Sequence, residues 1–231
     1  MSLLEVLVIN DGSKDSSSKI AHEYESRFPN TFKVIDKENG NYGSCVNRGV
    51  KDAAGKYVKV LDADDWFDNE AFKSLIIFLK DCSAECVLTD YVRVNQSGKV
   101  LESEKIGLSE ELQTIKDFPE NTAMHIWMYQ VTYQVENLRK IGYHQTEGIS
   151  YTDQEWIFLP LSTCKTWQYL PVILYQYLVG REGQTMQNSV VEKNLWMSFK
   201  GLDVMLDEYK KLYSGCSDKG KEILKIRLKS R

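Results

Sequence analysis

Short apolar runs alternate with amphipathic stretches along most of this chain. Residues 5–9 form an apolar run that predicts a strand, closed by the turn Asn10-Asp11-Gly12-Ser13, after which Ser13 or Asp15 can cap a helix reaching about residue 27. Residues 32–35 predict a second strand, followed by the polar loop Asn39-Gly40-Asn41-Tyr42-Gly43 and a helix over 44–53 that stops at Gly55. A strand over 57–61, a helix over 69–80 and a strand over 84–91 continue the alternation. Residues 91–95 and 99–103, joined by Gln96-Ser97-Gly98, predict an antiparallel hairpin. Residues 190–213 and 219–229 predict two amphipathic helices around Ser214-Gly215. Strands alternating with helices imply an α/β fold with a mixed, mostly parallel sheet flanked by helices, plus C-terminal helices.

Composition narrows this only a little. The chain has 231 residues, a net charge of −4 and four prolines, which suits one medium domain with a core large enough to fold without a disulfide or structural metal. The mild acidity argues against nucleic acid as a partner. The five cysteines, Cys45, Cys82, Cys86, Cys164 and Cys216, are odd in number and fit no zinc spacing, so they read as reduced thiols of a cytoplasmic protein. No signal peptide and no membrane-spanning run is evident. The basic faces of the last two helices read as solvated, with peripheral contact of the last helix to the inner membrane face or a lipid-linked acceptor as the alternative.

The densest chemistry is Asp62-Ala63-Asp64-Asp65-Trp66, directly after the strand over 57–61. Ligands of open α/β sheets bind at the carboxyl ends of strands. If the chain stays extended, Asp62 and Asp64 point to the same side and can hold Mg²⁺ or Mn²⁺, with substrate phosphates completing the shell. The plainer alternative is an acidic turn in which Asp65 or Asp68 caps the next helix.

The order of motifs carries a resemblance. Val8-Ile9-Asn10-Asp11-Gly12-Ser13-Lys14-Asp15, then residues 39–49, Ala54-Gly55-Lys56-Tyr57, Leu61-Asp62-Ala63-Asp64-Asp65-Trp66, Glu147-Gly148-Ile149-Ser150-Tyr151-Thr152-Asp153-Gln154-Glu155 and residues 175–185 resemble a family-2 glycosyltransferase of the GT-A fold over roughly residues 5–190. The resemblance implies a nucleotide-sugar-binding half over 1–105, an acceptor and catalytic half over 106–188, and a helical appendage over 189–231. It implies an inverting transfer from a nucleotide-diphosphate sugar, a UDP-sugar for preference, to a saccharide or lipid-linked acceptor in cell-envelope polysaccharide synthesis. Asp11 then meets the base or ribose, Asn39 and Gly43 lie in the loop covering the nucleotide, and Asp62 and Asp64 hold ribose and metal. Asp153 falls at the catalytic base and Arg181 in a late loop that meets the diphosphate.

Each residue also has a plainer reading. Asp11 before Gly12 can bond its own turn, Asp153 can cap the helix that follows, and Arg181 can pair with Glu182. Tyr151 and Trp156 would desolvate Asp153 and make it a better proton acceptor, with Glu155 as the substitute base. His144 is the histidine closest to that segment. Many relatives carry an arginine at Val46, for which Arg48 is the candidate replacement.

Family members usually begin with an apolar strand and a helix ahead of the strand matched here by residues 5–9. The resemblance therefore implies that the remaining strands close a gap, borrow a strand from another copy in a homodimer, or leave an open edge. Met1-Ser2-Leu3 is either the native start or a remnant of expression. The competing reading is a truncated, non-catalytic module that binds a nucleotide sugar or self-associates.

Overall fold

The computed structural model of the protein describes residues 3–180, 188–212 and 215–229. The elements run β1 (Val6–Asp11), α1 (Ser17–Arg27), β2 (Phe32–Lys37), α2 (Asn41–Asp52), β3 (Tyr57–Val58), β4 (Trp66–Phe67), α3 (Asn69–Asp81), β5 (Cys86–Val94), β6 (Val100–Glu104), β7 (Gln113–Thr114), α4 (Glu120–His125), β8 (Val131–Gln134), α5 (Val135–Lys140), α6 (Asp153–Thr163), β9 (Thr166–Leu178), α7 (Asn188–Leu212) and α8 (Asp218–Lys229).

The main sheet has the order β3-β8-β5-β9-β4, with β6 added to β5 and β7 to β9. It is mixed, as expected, but less parallel than helix–strand alternation suggested. The parallel pairings are the two longest, β1 with β2 and β5 with β9, while β3, β4, β6, β7 and β8 all pair antiparallel. Three of these antiparallel strands, β3, β4 and β7, are two-residue additions at the sides of β8 and β9, and β6 returns from β5 through the predicted hairpin turn.

Strand β5 lies centrally and is buried along its length except at Arg93. Its side chains alternate between faces. Cys86 and Leu88 pack with Tyr133, Trp156, Ile157, Phe118 and Trp167, whereas Val87 packs with Ala71, Leu75 and Leu174 under α3. Helix α6 is apolar all round because it is enclosed all round, from Gln154 to Ser162. One of its covers is α8, which buries Gly220, Ile223, Leu224 and Arg227. The basic face expected to be solvated, or to meet a membrane, therefore includes a buried arginine. Arg227 donates through Nη1 to the carbonyls of Ala123, Met124 and Ile126, the kind of cation that complements a helix C-terminus. Among the described residues no helix is long and apolar enough to cross a membrane.

Strands β1 and β2 form a separate two-stranded sheet. Among the described residues β1 pairs only with β2 and β3 only with β8, so each has one edge without a ladder partner in this chain. The consequence is poor enclosure: all six residues of β1 are half-buried and α1 buries none of its residues. All five cysteines are free.

Candidate active site

The β1–β2 register places Asp11 opposite Lys37 at the carboxyl ends of both strands. Lys37 Nζ donates to Asp11 Oδ1 and, at 2.8 Å, to Ser44 Oγ, while Gly40 N donates to the same carboxylate oxygen at 2.9 Å. Burial raises the proton affinity of Asp11, but Lys37 and the Gly40 and Asn41 N–H groups outweigh it and hold the carboxyl below its usual range. Asn39 Nδ2 donates to the Asp11 carbonyl at 3.1 Å, so Asp11 and Asn39 together shape the entry to α2. The expected polar loop is shorter than predicted because α2 starts at Asn41, which takes φ +63°, a region asparagine tolerates. Gly43 thus sits inside a helix. A Cβ there would lie 2.0 Å from the Thr146 carbonyl oxygen, so glycine lets α2 touch the segment leading to α6.

The acidic cluster is a turn and not a strand extension. Ladder pairing of β3 ends at Val58, and Asp65 N donates to the Asp62 carbonyl at 3.1 Å. The assumption of an extended chain, on which Asp62 and Asp64 would point the same way, does not hold. Between strand and turn, Lys59 Nζ donates to the carbonyls of Tyr129 (2.8 Å) and Val131 (3.2 Å), and burial lowers its pKa to about 7.

Each acid of the turn has its own environment. Asp62 Oδ1 accepts from Tyr42 Oη at 2.8 Å and Asp62 N donates to Tyr175 Oη at 3.1 Å. Burial pushes the Asp62 carboxyl up to about 6 against the Tyr42 bond, with Asp64 and Asp153 adding repulsion. Asp65 is buried, accepting from Tyr175 Oη (2.7 Å) and Leu178 N (2.8 Å), and burial takes it to about 7. Asp65 thus ties the turn to β9. Asp68 is the helix cap, accepting from Glu70 N and Ala71 N at the start of α3.

On the metal question, no group of three or more ligating side chains converges among the described residues. Half-buried Asp62 and Asp64 nevertheless suit a hard cation that takes one or two carboxylates and completes its shell with substrate phosphate. Burial and the charges of Asp64 and Asp153 raise the proton affinity of Asp62, and a bound divalent cation would reverse that shift and displace the proton.

Asp153 opens α6, and its charge reaches Asp62, Tyr42 and Tyr129, so the fold brings the acidic turn and the late motif together. Trp156 packs edge-on against Tyr133 and Tyr143 in the core. Asp153 Oδ2 accepts from Gln154 Nε2 at 2.9 Å, and Gln154 Oε1 accepts from Arg227 Nη2, so the last helix helps to orient the candidate base. Tyr151, two residues upstream, takes φ +63°, a costly conformation for a bulky residue.

The segment is held in place by Gln145, which is fully buried. Its Nε2 donates to Thr152 O and Oγ1 (2.9 and 2.8 Å), its Oε1 accepts from Tyr143 Oη, and its backbone N and O pair with Asn47 Oδ1 and Nδ2 (2.7 and 2.8 Å). Asn47 also donates to Glu147 Oε1 at 2.8 Å and lies 3.2 Å from the exposed ring of His144.

Glu155 does not face the acidic turn. It accepts from Thr146 N at 2.7 Å and lines a pocket with Tyr143, Met205 and Glu208, where burial raises its pKa. Val46 is a core residue, and Arg48 pairs with Asp52 at 2.6 Å, so Arg48 does not stand in for a missing site arginine. Arg181 lies outside the described residues. Sequence reasoning missed Tyr129, Gln145 and Arg227, which carry no local signal, and gave no role to Tyr42 and Tyr175, although both lie in segments of the motif order.

The model of glycosyl transferase family 2 matches residues 1–142. A putative glycosyltransferase, EpsH of Bacillus subtilis, is 34% identical over 119 residues, which are 52% of this chain and 33% of that protein. Chondroitin synthase of Pasteurella multocida is 25% identical over 195 residues, 82% of this chain and 19% of the synthase. The chain therefore spans a third or less of these relatives. Among solved structures, S. aureus TarS residues 1–349 in complex with UDP-GlcNAc superpose with a TM-score of 0.63 at 21% identity, covering 80% of this chain and 52% of that one. A Pyrobaculum calidifontis mannosyltransferase in complex with GDP-Man and Mn²⁺ gives 0.59 at 15% identity, covering 98% and 60%. The fold is that of the GT-A glycosyltransferases, and the chain belongs to glycosyltransferase family 2.

Proposed function

We propose that this chain transfers a sugar from a UDP-sugar to a saccharide hydroxyl with inversion, in the synthesis of a cell-envelope polysaccharide. The observation that carries the reading is that the fold brings Asp153, at the start of α6, within electrostatic reach of Asp62, whose carboxylate Tyr42 Oη holds at 2.8 Å. Asp11 and Asn39 bind the nucleoside end, with Gly43 allowing α2 to close against the later segment, and Arg181 meets the diphosphate. UDP is preferred to GDP because TarS, solved with UDP-GlcNAc, superposes with a TM-score of 0.63 against 0.59 for the GDP-Man complex, and the polysaccharide reading is supported by relatives that include a chondroitin synthase and a minor teichoic acid biosynthesis protein.

Asp64 and Asp62 would hold Mg²⁺ or Mn²⁺, which supplies Lewis-acid neutralisation of charge on the departing diphosphate. Asp153 takes the proton of the acceptor hydroxyl as that oxygen attacks the anomeric carbon from the face opposite the leaving UDP. The bond to the diphosphate oxygen breaks in the same displacement, so the configuration inverts without a covalent sugar intermediate. Gln154 and Arg227 hold the Asp153 carboxylate in place during the transfer.

The test is Asp153→Asn. Loss of a general base should lower turnover by about 10²–10⁴-fold. UDP affinity, measured by calorimetry, should stay within about threefold, because the mechanism assigns Asp153 to the acceptor hydroxyl and not to the donor. Equal loss of turnover and of UDP binding would reject Asp153 as the base. Full turnover would reject the mechanism.

A further inference from the structure

Beside the acids lies an aromatic stack whose outer ring, Trp127, has no part in the proposed chemistry. Tyr177, Tyr129 and Trp127 form a ladder of nearly parallel rings: Tyr129 to Tyr177 at 5.0 Å and 19°, and Trp127 to Tyr129 at 6.3 Å and 19°. Tyr91 and Tyr175, both buried, pack on Tyr129 at 5.0 and 5.1 Å and fix it from behind. The ladder has a direction. Next to Tyr177, Leu178 N donates to Asp65 Oδ1 at 2.8 Å, and Tyr175, which packs on Tyr129, donates to Asp65 Oδ2 at 2.7 Å, while Trp127 stands at the outer end with 41% of its surface exposed.

Core packing explains Tyr91, Tyr129 and Tyr175 but not the indole. Trp127 is held on a rigid support: its N–H donates to Gln130 Oε1 at 2.9 Å, its carbonyl accepts from Gln130 N at 3.0 Å, and the next residue, Met128, is buried with its sulfur 3.2 Å from Tyr42 Oη. Tyr42 in turn bonds Asp62. A large ring presented to solvent from a fixed turn next to an active site is preorganised for a flat ligand.

We propose that Trp127, backed by Tyr129, is the stacking platform for a pyranose ring of the acceptor saccharide. The axial C–H groups on one face of a β-linked hexopyranose give it a flat apolar face, and its equatorial hydroxyls stay in water, which matches a half-exposed indole. The platform begins at Tyr177, beside the bond from Leu178 N to Asp65, and runs through Tyr129 to the surface at Trp127, as an elongated acceptor requires. This inference rests on the glycosyltransferase reading for the identity of the ligand and extends it to the acceptor side.

The experiment is saturation-transfer NMR on the full chain with UDP and Mn²⁺, using cellobiose, lactose and N,N′-diacetylchitobiose as probes, with UDP binding measured by calorimetry on the same samples. At least one disaccharide should receive saturation strongest at its axial protons. Trp127→Ala should weaken its affinity about tenfold, the upper range for one aromatic contact. Trp127→Phe should keep most of it, and both variants should melt within a few degrees of the parent because the ring is exposed. Equal saturation in Trp127→Ala, or none of the three binding the parent chain, overturns the platform. UDP binding without saccharide binding refutes the platform alone; saccharide binding without UDP binding refutes the donor reading and leaves the platform standing.

Discussion

Two glycines six residues apart on α2 should respond in opposite directions to the same substitution. At Gly43 an added Cβ would lie 2.0 Å from Thr146 O, 2.8 Å from Thr146 C and 3.2 Å from Gln145 O, all backbone atoms that cannot rotate aside. Ordinary contact begins near 3.4 Å, so segment and helix must part by about 1.4 Å. The bonds between Asn47 and the Gln145 backbone, 2.7 and 2.8 Å long, do not survive that displacement. Two hydrogen bonds contribute roughly 1–3 kcal/mol and overpacking costs about as much, offset by roughly 0.5–1 kcal/mol from replacing a helical glycine with alanine. Gly43→Ala should therefore destabilise by about 2–4 kcal/mol and lower Tm by roughly 5–15 °C in a chain of this size. At Gly49 nothing lies within 4 Å of the added Cβ, so Gly49→Ala should stabilise by about 0.4–1 kcal/mol. Calorimetric melting of the two variants decides the matter. A Gly43→Ala protein that melts at or above the parent temperature would show that α2 does not approach the Thr146 backbone as described.

Stability should also depend on pH with an unusual sign. Asp62 and Asp65 keep their protons up to about 6 and about 7 in the folded chain, whereas an ordinary aspartate releases near 3.8, so between these values the native state binds more protons. Metal-free protein should lose stability as pH rises from about 4 to about 7, and His22, raised by Asp36 and Glu25, adds to the loss as pH passes its own folded pKa. Tm at pH 5 should exceed Tm at pH 8, and Asp65→Asn should flatten the slope; a rise of Tm toward pH 8 would contradict the burial of these acids. Asp68→Ala removes the acceptor for two N–H groups at the start of α3 and should cost about 1 kcal/mol without changing UDP affinity.

The features legible in the sequence were local ones. Helix α3 and its possible Asp68 cap, the β5–β6 hairpin and the break before α8 follow from periodicity and turn residues within a few positions. The motif order was legible because it is a property of the chain. Contacts across long separations were not. Asp62 meets the tyrosine hydroxyl of residue 175, and Asn47 meets Gln145 98 positions away; neither pair has a local signature. For Asp62–Asp65 the sequence left an extended strand end and an acidic turn both open, and the structure has the turn; alternation over residues 57–61 looks the same whether or not a neighbouring strand is present to pair with it. Arg227 looked like a surface charge because three backbone carbonyls that satisfy it come from around residue 125.

The central claim is that the acidic turn forms a donor site, and calorimetric titration with UDP, with and without Mn²⁺, beside Asp64→Asn tests it most directly. The account predicts UDP binding that strengthens with Mn²⁺ in the parent chain and loses that dependence in the variant. UDP binding indifferent to Mn²⁺ and to Asp64, or no binding at all, would contradict it.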